Sequence, residues 1–339
     1  MNNLNGKHIL MFSPYGATKH YGEAIRTELE SRGAIVKEYD ERPSQKALTK
    51  IILRLFNKNI PQIFNVYIKN VINQNKDLKF NYILICRGEA FTPFSIKHLK
   101  SSFPDAKIIL YLWDILKTTN VANNISYCDK AMSFDPEDVY SNENLEFRPT
   151  FFINEFKNVI DNPNPSKDIV FIGTLHSNRN RIITNIKDKL SIQGINMFTY
   201  LYVPSRIVYV KDYIIKYPYI NINKVNFKPM SILNIIQVLN NAKAVLDINY
   251  SNQKSLSMRA YEAMAARRKY ITTNPEIKKY DFYNPNNILV IDINNPIVPR
   301  DFLETPYEIV NDEILKNYSV SKLVEDLFNI NSIKNTNNM

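Results

Sequence analysis

The chain has 339 residues, 45% of them apolar, which is enough for two α/β domains with separate cores and too apolar for general disorder. Its two cysteines, Cys86 and Cys128, form no C-x-x-C pair, so neither a disulfide framework nor a thiolate metal site is expected, and a reducing compartment fits. A net charge of +10 admits nucleic acid, anionic lipid or phosphorylated small molecules, but no zinc-finger, RNA-recognition or G-x-x-G pattern accompanies it, which argues against nucleic acid.

Residues 1–16 lack the long apolar run of a signal peptide, and the short run His8–Phe12 reads as a first strand. No apolar stretch is long enough to span a bilayer, so a cytoplasmic protein is expected. Further strands are expected at Ala34–Tyr39, Asn81–Cys86, Lys107–Leu112 and Lys130–Phe134, with helices such as His20–Ser31 and Pro93–Ser101 between them. Such alternation implies a parallel sheet covered on both faces. One segment, Ser44–Lys76, breaks it with two amphipathic, basic helical stretches. We favour helices packed on the sheet with a solvated basic face; the other reading is an insertion that touches an anionic membrane surface. Asp135-Pro-Glu-Asp138 reads as a helix cap.

The proline-rich run Asp161–Ser166 is the expected linker. After it the alternation restarts, with strands at Asp168–Ile172, Ile195–Tyr202, Ala244–Ile248, Tyr270–Thr273 and Asn287–Ile291. Helices are expected at Ser177–Leu190, Ser231–Asn240, Ser257–Arg267 and Ser319–Phe328, and a frayed Asn-rich end from Asn329.

Ligands in doubly wound sheets bind beyond the carboxyl ends of the strands, so the strand-to-helix loops carry the candidates. In Phe171–Arg179 an apolar strand ends at Gly173 and a helix begins within a few residues, with Thr174, His176 and Arg179 in the loop and helix start. A glycine lets backbone approach a ligand, a helix N-terminus suits a phosphate, and arginine adds charge-assisted bonds. Lys254, Ser255, Leu256 and Ser257 precede a good helix in which Arg259 and Glu262 share a face. Arg259 suits a phosphate and Glu262 suits ribose hydroxyls; a capped helix with a local ion pair explains the run equally well. Phe227, Lys228 and Met230 precede another helix start and offer an apolar shelf to a base, though a plain loop explains them better in isolation. In the first half, Glu89 and Asp114 follow expected strands, and either is a carboxylate able to deprotonate a hydroxyl, with His20 a weaker third. Loop capping or ion pairing, as between Glu89 and Arg87, is the alternative.

Taken in order, Phe171–Arg179, Phe227–Met230, Ala244–Ile248, Ser257–Ala265 and Ile271–Asn274 resemble the signature of GT-B glycosyltransferases, and among them the CgeB-like and related cell-surface polysaccharide transferases of the group 1 superfamily. The resemblance implies an α/β fold of two Rossmann-like doubly wound domains (GT-B) with a cleft between them. Residues 1–160 would be the acceptor domain, with a helical insertion at about 44–76, and 161–310 the nucleotide-sugar domain. Residues 311–339 would be a helix crossing back to the first domain and a polar tail. It also implies a nucleotide-sugar donor, with UDP-sugar first and GDP- or CMP-sugar open, and a glycan or lipid-linked oligosaccharide acceptor. Catalysis would fall to Glu89 or Asp114 in an inverting enzyme. Many retaining members carry a glutamate where this chain has Lys254, so the stereochemical outcome does not transfer. Absence of D-x-D disfavours the metal-dependent GT-A type, and no phosphate-loop or G-x-G-x-x-G motif occurs, so no metal or further cofactor is expected. The rivals are a nucleotide-sugar epimerase on the same architecture and a non-catalytic glycan or nucleic-acid binder.

Overall fold

A computed structural model describes residues 4–43, 60–175, 179–209, 225–249 and 254–330. The apolar runs of the first half become β1 (His8–Ser13), β2 (Ile35–Asp40), β3 (Tyr82–Cys86), β4 (Lys107–Tyr111) and β5 (Lys130–Ser133). A short edge strand, β6 (Glu146–Phe147), joins them, and the order is β2-β1-β3-β4-β5-β6 with every pairing parallel. The second half forms β7 (Lys167–Thr174), β8 (Met197–Tyr202), β9 (Ala242–Asp247), β10 (Lys269–Thr272) and β11 (Ile288–Val290), ordered β8-β7-β9-β10-β11 and again parallel. Both sheets therefore reverse direction at one place, between β1 and β3 and between β7 and β9. These are the topological switch points of doubly wound sheets.

The alternation of side chains across a strand explains why these runs are apolar throughout. Leu10, Phe12, Ile83, Ile85, Ile108 and Leu110 share one face of the first sheet, where Phe64 and Ile68 of the helix Ile60–Gln74 and Ile96 and Leu99 of the helix Pro93–Ser102 cover them. Their neighbours Ile9, Met11, Leu84, Ile109 and Tyr111 are equally buried on the opposite face. In the second sheet Ile169, Phe171, Ala244, Leu246 and Ile271 pack with Ile183, Ile186 and Leu190 of the helix Arg179–Ile192. Helix starts follow local chemistry. Ser231, Ser257 and Ser319 each accept a bond from the backbone N–H of Asn234, Arg259 and Lys322 respectively, and Thr92 forms a capping box with Ser95 ahead of Pro93. Each such cap stabilises its helix by about 1 kcal/mol.

The first unit comprises the described residues up to Thr150, Lys254 and Ser255, and those from Tyr318 onward; the second comprises the rest. The division thus falls ten residues before the expected linker. Asp161–Ser166 belongs to the second unit because its polar groups are tied there: Asp161 accepts from Arg268 Nη1 at 2.9 Å, and Asn162 Nδ2 donates to Asn241 Oδ1 at 2.9 Å. In the first unit Arg32 Nη2 donates to Ser321 Oγ at 2.7 Å and lies 3.3 Å from Glu325, which fastens the helix Lys19–Ser31 to Val320–Phe328. Of Ser44–Lys76, residues 44–59 lie outside the described residues; the remainder is the helix Ile60–Gln74, docked on the sheet. No helix among the described residues is long and apolar enough to cross a membrane.

Candidate functional site

At the switch point of the second unit, β7 ends in Gly173 and Thr174. A Cβ at position 173 would stand 3.0 Å from Cζ of Phe171, so the strand end is confined there by its own ring. Arg179, at the start of its helix, donates from Nη1 to Thr174 O at 3.3 Å and from Nη2 to Ile248 O at 2.8 Å. Its guanidinium therefore ties the carboxyl end of β7 to the residue after β9, across the crevice that such sheets offer to ligands. His176 lies outside the described residues.

Ser257 caps the helix Met258–Ala265 and donates to Asp247 Oδ2 at 2.7 Å; Tyr270 Oη donates to the same oxygen at 2.9 Å. Burial, then the neighbouring Asp247, pushes the Tyr270 phenol well above its ordinary value, so it stays a donor. Asp247 went unnoticed in the sequence, although an aspartate closing the apolar run Ala242–Asp247 was the available signal. Its carboxylate sits by the positive end of the helix dipole, the place where an anion is most favoured. Two residues on, Arg259 donates from Nη2 to Ile172 O at 3.2 Å, and Nη1 is 2.8 Å from Glu262 Oε2. The shared helical face is as expected, but the two groups face each other: Arg259 is 20% exposed and Glu262 only 2%. A ligand at this end of the sheet meets the arginine before the glutamate.

The remaining donor-site candidates are distributed. Phe227 is half-buried, with Tyr209 edge-on at 6.0 Å and the Arg206 guanidinium 5.6 Å from its ring centre. Exposed Lys228 receives Tyr200 Oη on its carbonyl at 2.8 Å, and Met230 is half-buried beside it. Leu256 is buried. Lys254 and Ser255 belong to the first unit. There Lys254 Nζ lies 2.7 Å from Glu137 Oε1, and the Ser255 N–H donates to Asp135 Oδ2 at 3.3 Å. Asp135 also caps its own helix by accepting from Glu137 N, as its sequence indicated.

At the switch point of the first unit, Gly22 lets the helix Lys19–Ser31 approach the end of β1: a Cβ there would fall 2.4 Å from Ser13 Oγ. Beyond β3, Arg87 and Gly88 are both left-handed, with φ of 72° and 73°. For arginine this conformation costs on the order of 1 kcal/mol, held by the surrounding contacts. The Arg87 guanidinium gathers three carboxylates: Nε is 2.9 Å from Asp114, Nη1 is 3.5 Å from Glu41, and Nη2 contacts Glu89. Arg42 Nη2 adds a second cation to Glu89 at 2.6 Å. Burial alone would raise the Glu89 carboxyl, but Arg87 and Arg42 outweigh it and hold it below its ordinary value. Held so, Glu89 is a poor proton acceptor; Asp114, 46% exposed, lies against the same Arg87.

Glu41 is a second residue that sequence reading missed. It follows β2, accepts from Gly88 N at 3.2 Å, is fully buried, and burial pushes its carboxyl from 4.5 up to about 7. The signal was the charged run Asp40-Glu41-Arg42 closing an expected strand. Next to Asp114 in the chain, the buried indole Nε1 of Trp113 has no hydrogen-bond partner among the described residues, and its ring meets Tyr21 edge-on at 6.2 Å. Four carboxylates (Asp40, Glu41, Glu89, Asp114) against two arginines make this end of the sheet suited to hydroxyl groups and protons, and ill suited to phosphate. A cavity of about 780 Å³ elsewhere in the first unit, by β6 and Val320–Phe328, is lined by charges already paired, among them Arg148 and Lys322 with Asp326. No cluster of three or more His, Cys, Asp or Glu is placed to hold a metal among the described residues.

No family model matches the sequence, and no curated protein matches it. Solved structures do match. A glycosyltransferase from Rickettsia africae superposes with a TM-score of 0.58 at 12% identity, over 97% of this chain and 100% of that one. The catalytic domain of starch synthase IV from Arabidopsis thaliana, bound to ADP and acarbose, gives 0.59 at 8% identity, over 96% and 99%. A UDP-GlcNAc 2-epimerase from Methanocaldococcus jannaschii, in complex with UDP-GlcNAc and UDP, gives 0.51 at 11% identity, over 95% and 99%. The fold is therefore the two-domain α/β fold of GT-B glycosyltransferases.

Proposed function

We propose that the chain is a metal-independent glycosyltransferase that moves a sugar from a nucleotide-sugar, UDP-linked in the first instance, to a glycan or lipid-linked oligosaccharide acceptor in surface polysaccharide synthesis. The observation that carries the reading is the division of labour between the switch points: arginines at the second sheet, Arg179 and Arg259, and an excess of carboxylates at the first. The ordered CgeB-like motifs of residues 171–274 add to it. A lipid-linked acceptor fits a peripheral place on the inner face of the cytoplasmic membrane.

In the proposed reaction the donor lies along the second unit, with the base toward Phe227–Met230, the ribose toward Glu262 and the diphosphate toward Arg259. The acceptor oxygen attacks the anomeric carbon, and the bond from that carbon to the diphosphate breaks. The electron pair leaves with the diphosphate, whose growing charge Arg259 offsets, and the hydroxyl proton passes to Asp114, or to Glu89 in its place. Fixed donors act best where charge develops, which is why the arginine is assigned to the leaving group.

Calorimetry with UDP, GDP, CMP and dTDP tests the donor site. The preferred nucleotide should bind the wild type and bind Arg259→Ala at least tenfold more weakly, since a charge-assisted bond contributes on the order of 1.5–3 kcal/mol. Unchanged affinity in both Arg259→Ala and Glu262→Ala would place the site elsewhere. The fold similarity to an epimerase keeps a second reading, which product analysis with and without added acceptor separates: an epimerase alters the donor alone.

A further inference from the structure

Three elements cover one flank of the first sheet: the helices Ile60–Gln74 and Pro93–Ser102 and the 3₁₀ segment Val121–Tyr127. Their inner faces are fully engaged in the core, so the chemistry of their outer faces is set by something other than folding. That outer chemistry is unusual for a face in water. None of the three carries an aspartate, a glutamate or an arginine. Large apolar side chains stand out from it: Val66 is 58% exposed, Phe94 49% and Tyr127 37%.

These groups form one continuous row. Lys69 Nζ lies 5.6 Å from the Phe94 ring centre, bridging the two helices. The Phe94 ring stacks on His98 at 5.9 Å. Lys97, three residues after Phe94 on the same helix, places Nζ 4.5 Å from the Tyr127 ring centre and so reaches the third element. Asp129, just past that element, is taken up by Lys100 at 2.6 Å and leaves the row cationic. Soluble surfaces ordinarily mix the two signs of charge. A row of lysines resting on exposed aromatic rings, with no acid among them, instead matches the boundary of an anionic bilayer. There the rings sit at headgroup depth while lysine stems lie on apolar surface and hold their charges toward lipid phosphate. Nucleic acid fits less well, because phosphate and base recognition favours the arginine fork, which this face lacks.

We propose that this face, running from Val66 and Lys69 through Phe94 and Lys97 to Tyr127, docks the protein on an anionic phospholipid surface. The inference rests on the proposed action on a membrane-borne acceptor and says where on the molecule the membrane is met. It differs from the expectation of a basic insertion at 44–76, since two of its three elements lie outside that segment and the contacts between elements make the row.

Co-sedimentation of the full chain with phosphatidylcholine vesicles, with and without phosphatidylglycerol, tests it. The wild type should sediment with the anionic vesicles, less so as salt rises, and not with phosphatidylcholine alone. A lysine near an anionic surface contributes roughly fivefold in affinity, so Lys69→Glu with Lys97→Glu should weaken binding by about tenfold or more. Phe94→Ser should weaken it several-fold with the salt dependence retained. A matched pair in the second unit, Lys187→Glu with Lys278→Glu, should leave it unchanged, and thermal melts check that every variant is folded. Equal sedimentation of the face and control variants overturns the proposal. So does equal binding to neutral vesicles, or a wild type that binds no vesicles but shifts a random-sequence DNA duplex through the same lysines. Nucleotide binding, followed by calorimetry with UDP, GDP, CMP and dTDP in the same variants, separates the two inferences: absence of binding to all four with vesicle binding intact sinks the donor-site reading, and the converse sinks the docking face.

Discussion

Replacement of Glu41 by glutamine should make the first unit more stable in mild alkali and leave it nearly unchanged in acid. The carboxyl is fully buried, and burial moves it from an ordinary 4.5 to about 7 against the opposing pull of Arg87 and Arg42, while Glu89 and Asp40 add to the rise. At about 1.4 kcal/mol per tenfold change in proton affinity, holding the ionised form in the fold costs about 3 kcal/mol more than holding the neutral one. The folded protein keeps this proton between pH 4.5 and about 7, whereas the unfolded chain has lost it. Folded protein thus binds more protons across that window, and its stability falls as pH rises through it and levels off above. Glutamine imitates the protonated carboxyl and can still accept from Gly88 N–H, so it removes this pH dependence. The chain has one tryptophan, Trp113, which lies in the first unit and reports its unfolding. Urea titrations followed by its fluorescence at pH 5 and pH 8 should show wild type and Glu41→Gln close together at the lower pH. At the higher pH the variant should be ahead by about 3 kcal/mol. A variant less stable at both, by the same amount, would mean that the Glu41–Arg87 attraction outweighs the cost of burial.

Gly22→Ala should destabilise the first unit by about 1–3 kcal/mol in the same titration, because its Cβ would fall 2.4 Å from Ser13 Oγ and the helix must back away from β1. In the second unit, Arg259→Met alone leaves the buried Glu262 without its arginine and should cost about 3 kcal/mol or more. Adding Glu262→Gln should return part of that loss, so a double-mutant cycle by thermal unfolding yields a clear coupling energy. Additive losses would show that the pair is not the structural unit its 2.8 Å contact implies.

The periodic features of this chain were legible without coordinates. β1, β3, β4 and β7 stand where apolar runs end in polar or glycine residues, because a parallel strand buried on both faces must be apolar along its whole length. Ser231, Ser257 and Ser319 marked helix starts because capping is a contact within three residues. β6, only two residues long, carries no period to read, and the break at Asp161–Ser166 looks like a linker until its hydrogen bonds are seen. The site divides along the same line. Sequence indicated that Glu89 and Asp114 follow strand ends and that Arg179 and Arg259 stand at helix starts, since that follows from local alternation. It did not indicate that one arginine gathers Glu41, Glu89 and Asp114, that Arg179 spans from β7 to beyond β9, or that Asp247 holds Ser257. Apart from Arg87–Glu89 and Asp247–Ser257, those partnerships join residues more than twenty positions apart, and they exist because the strand order places β3 between β1 and β4 and sets β7 beside β9. Local chemistry determined which residues stand at the carboxyl ends of the strands; the crossing of the chain at each switch point decided which of their charges meet.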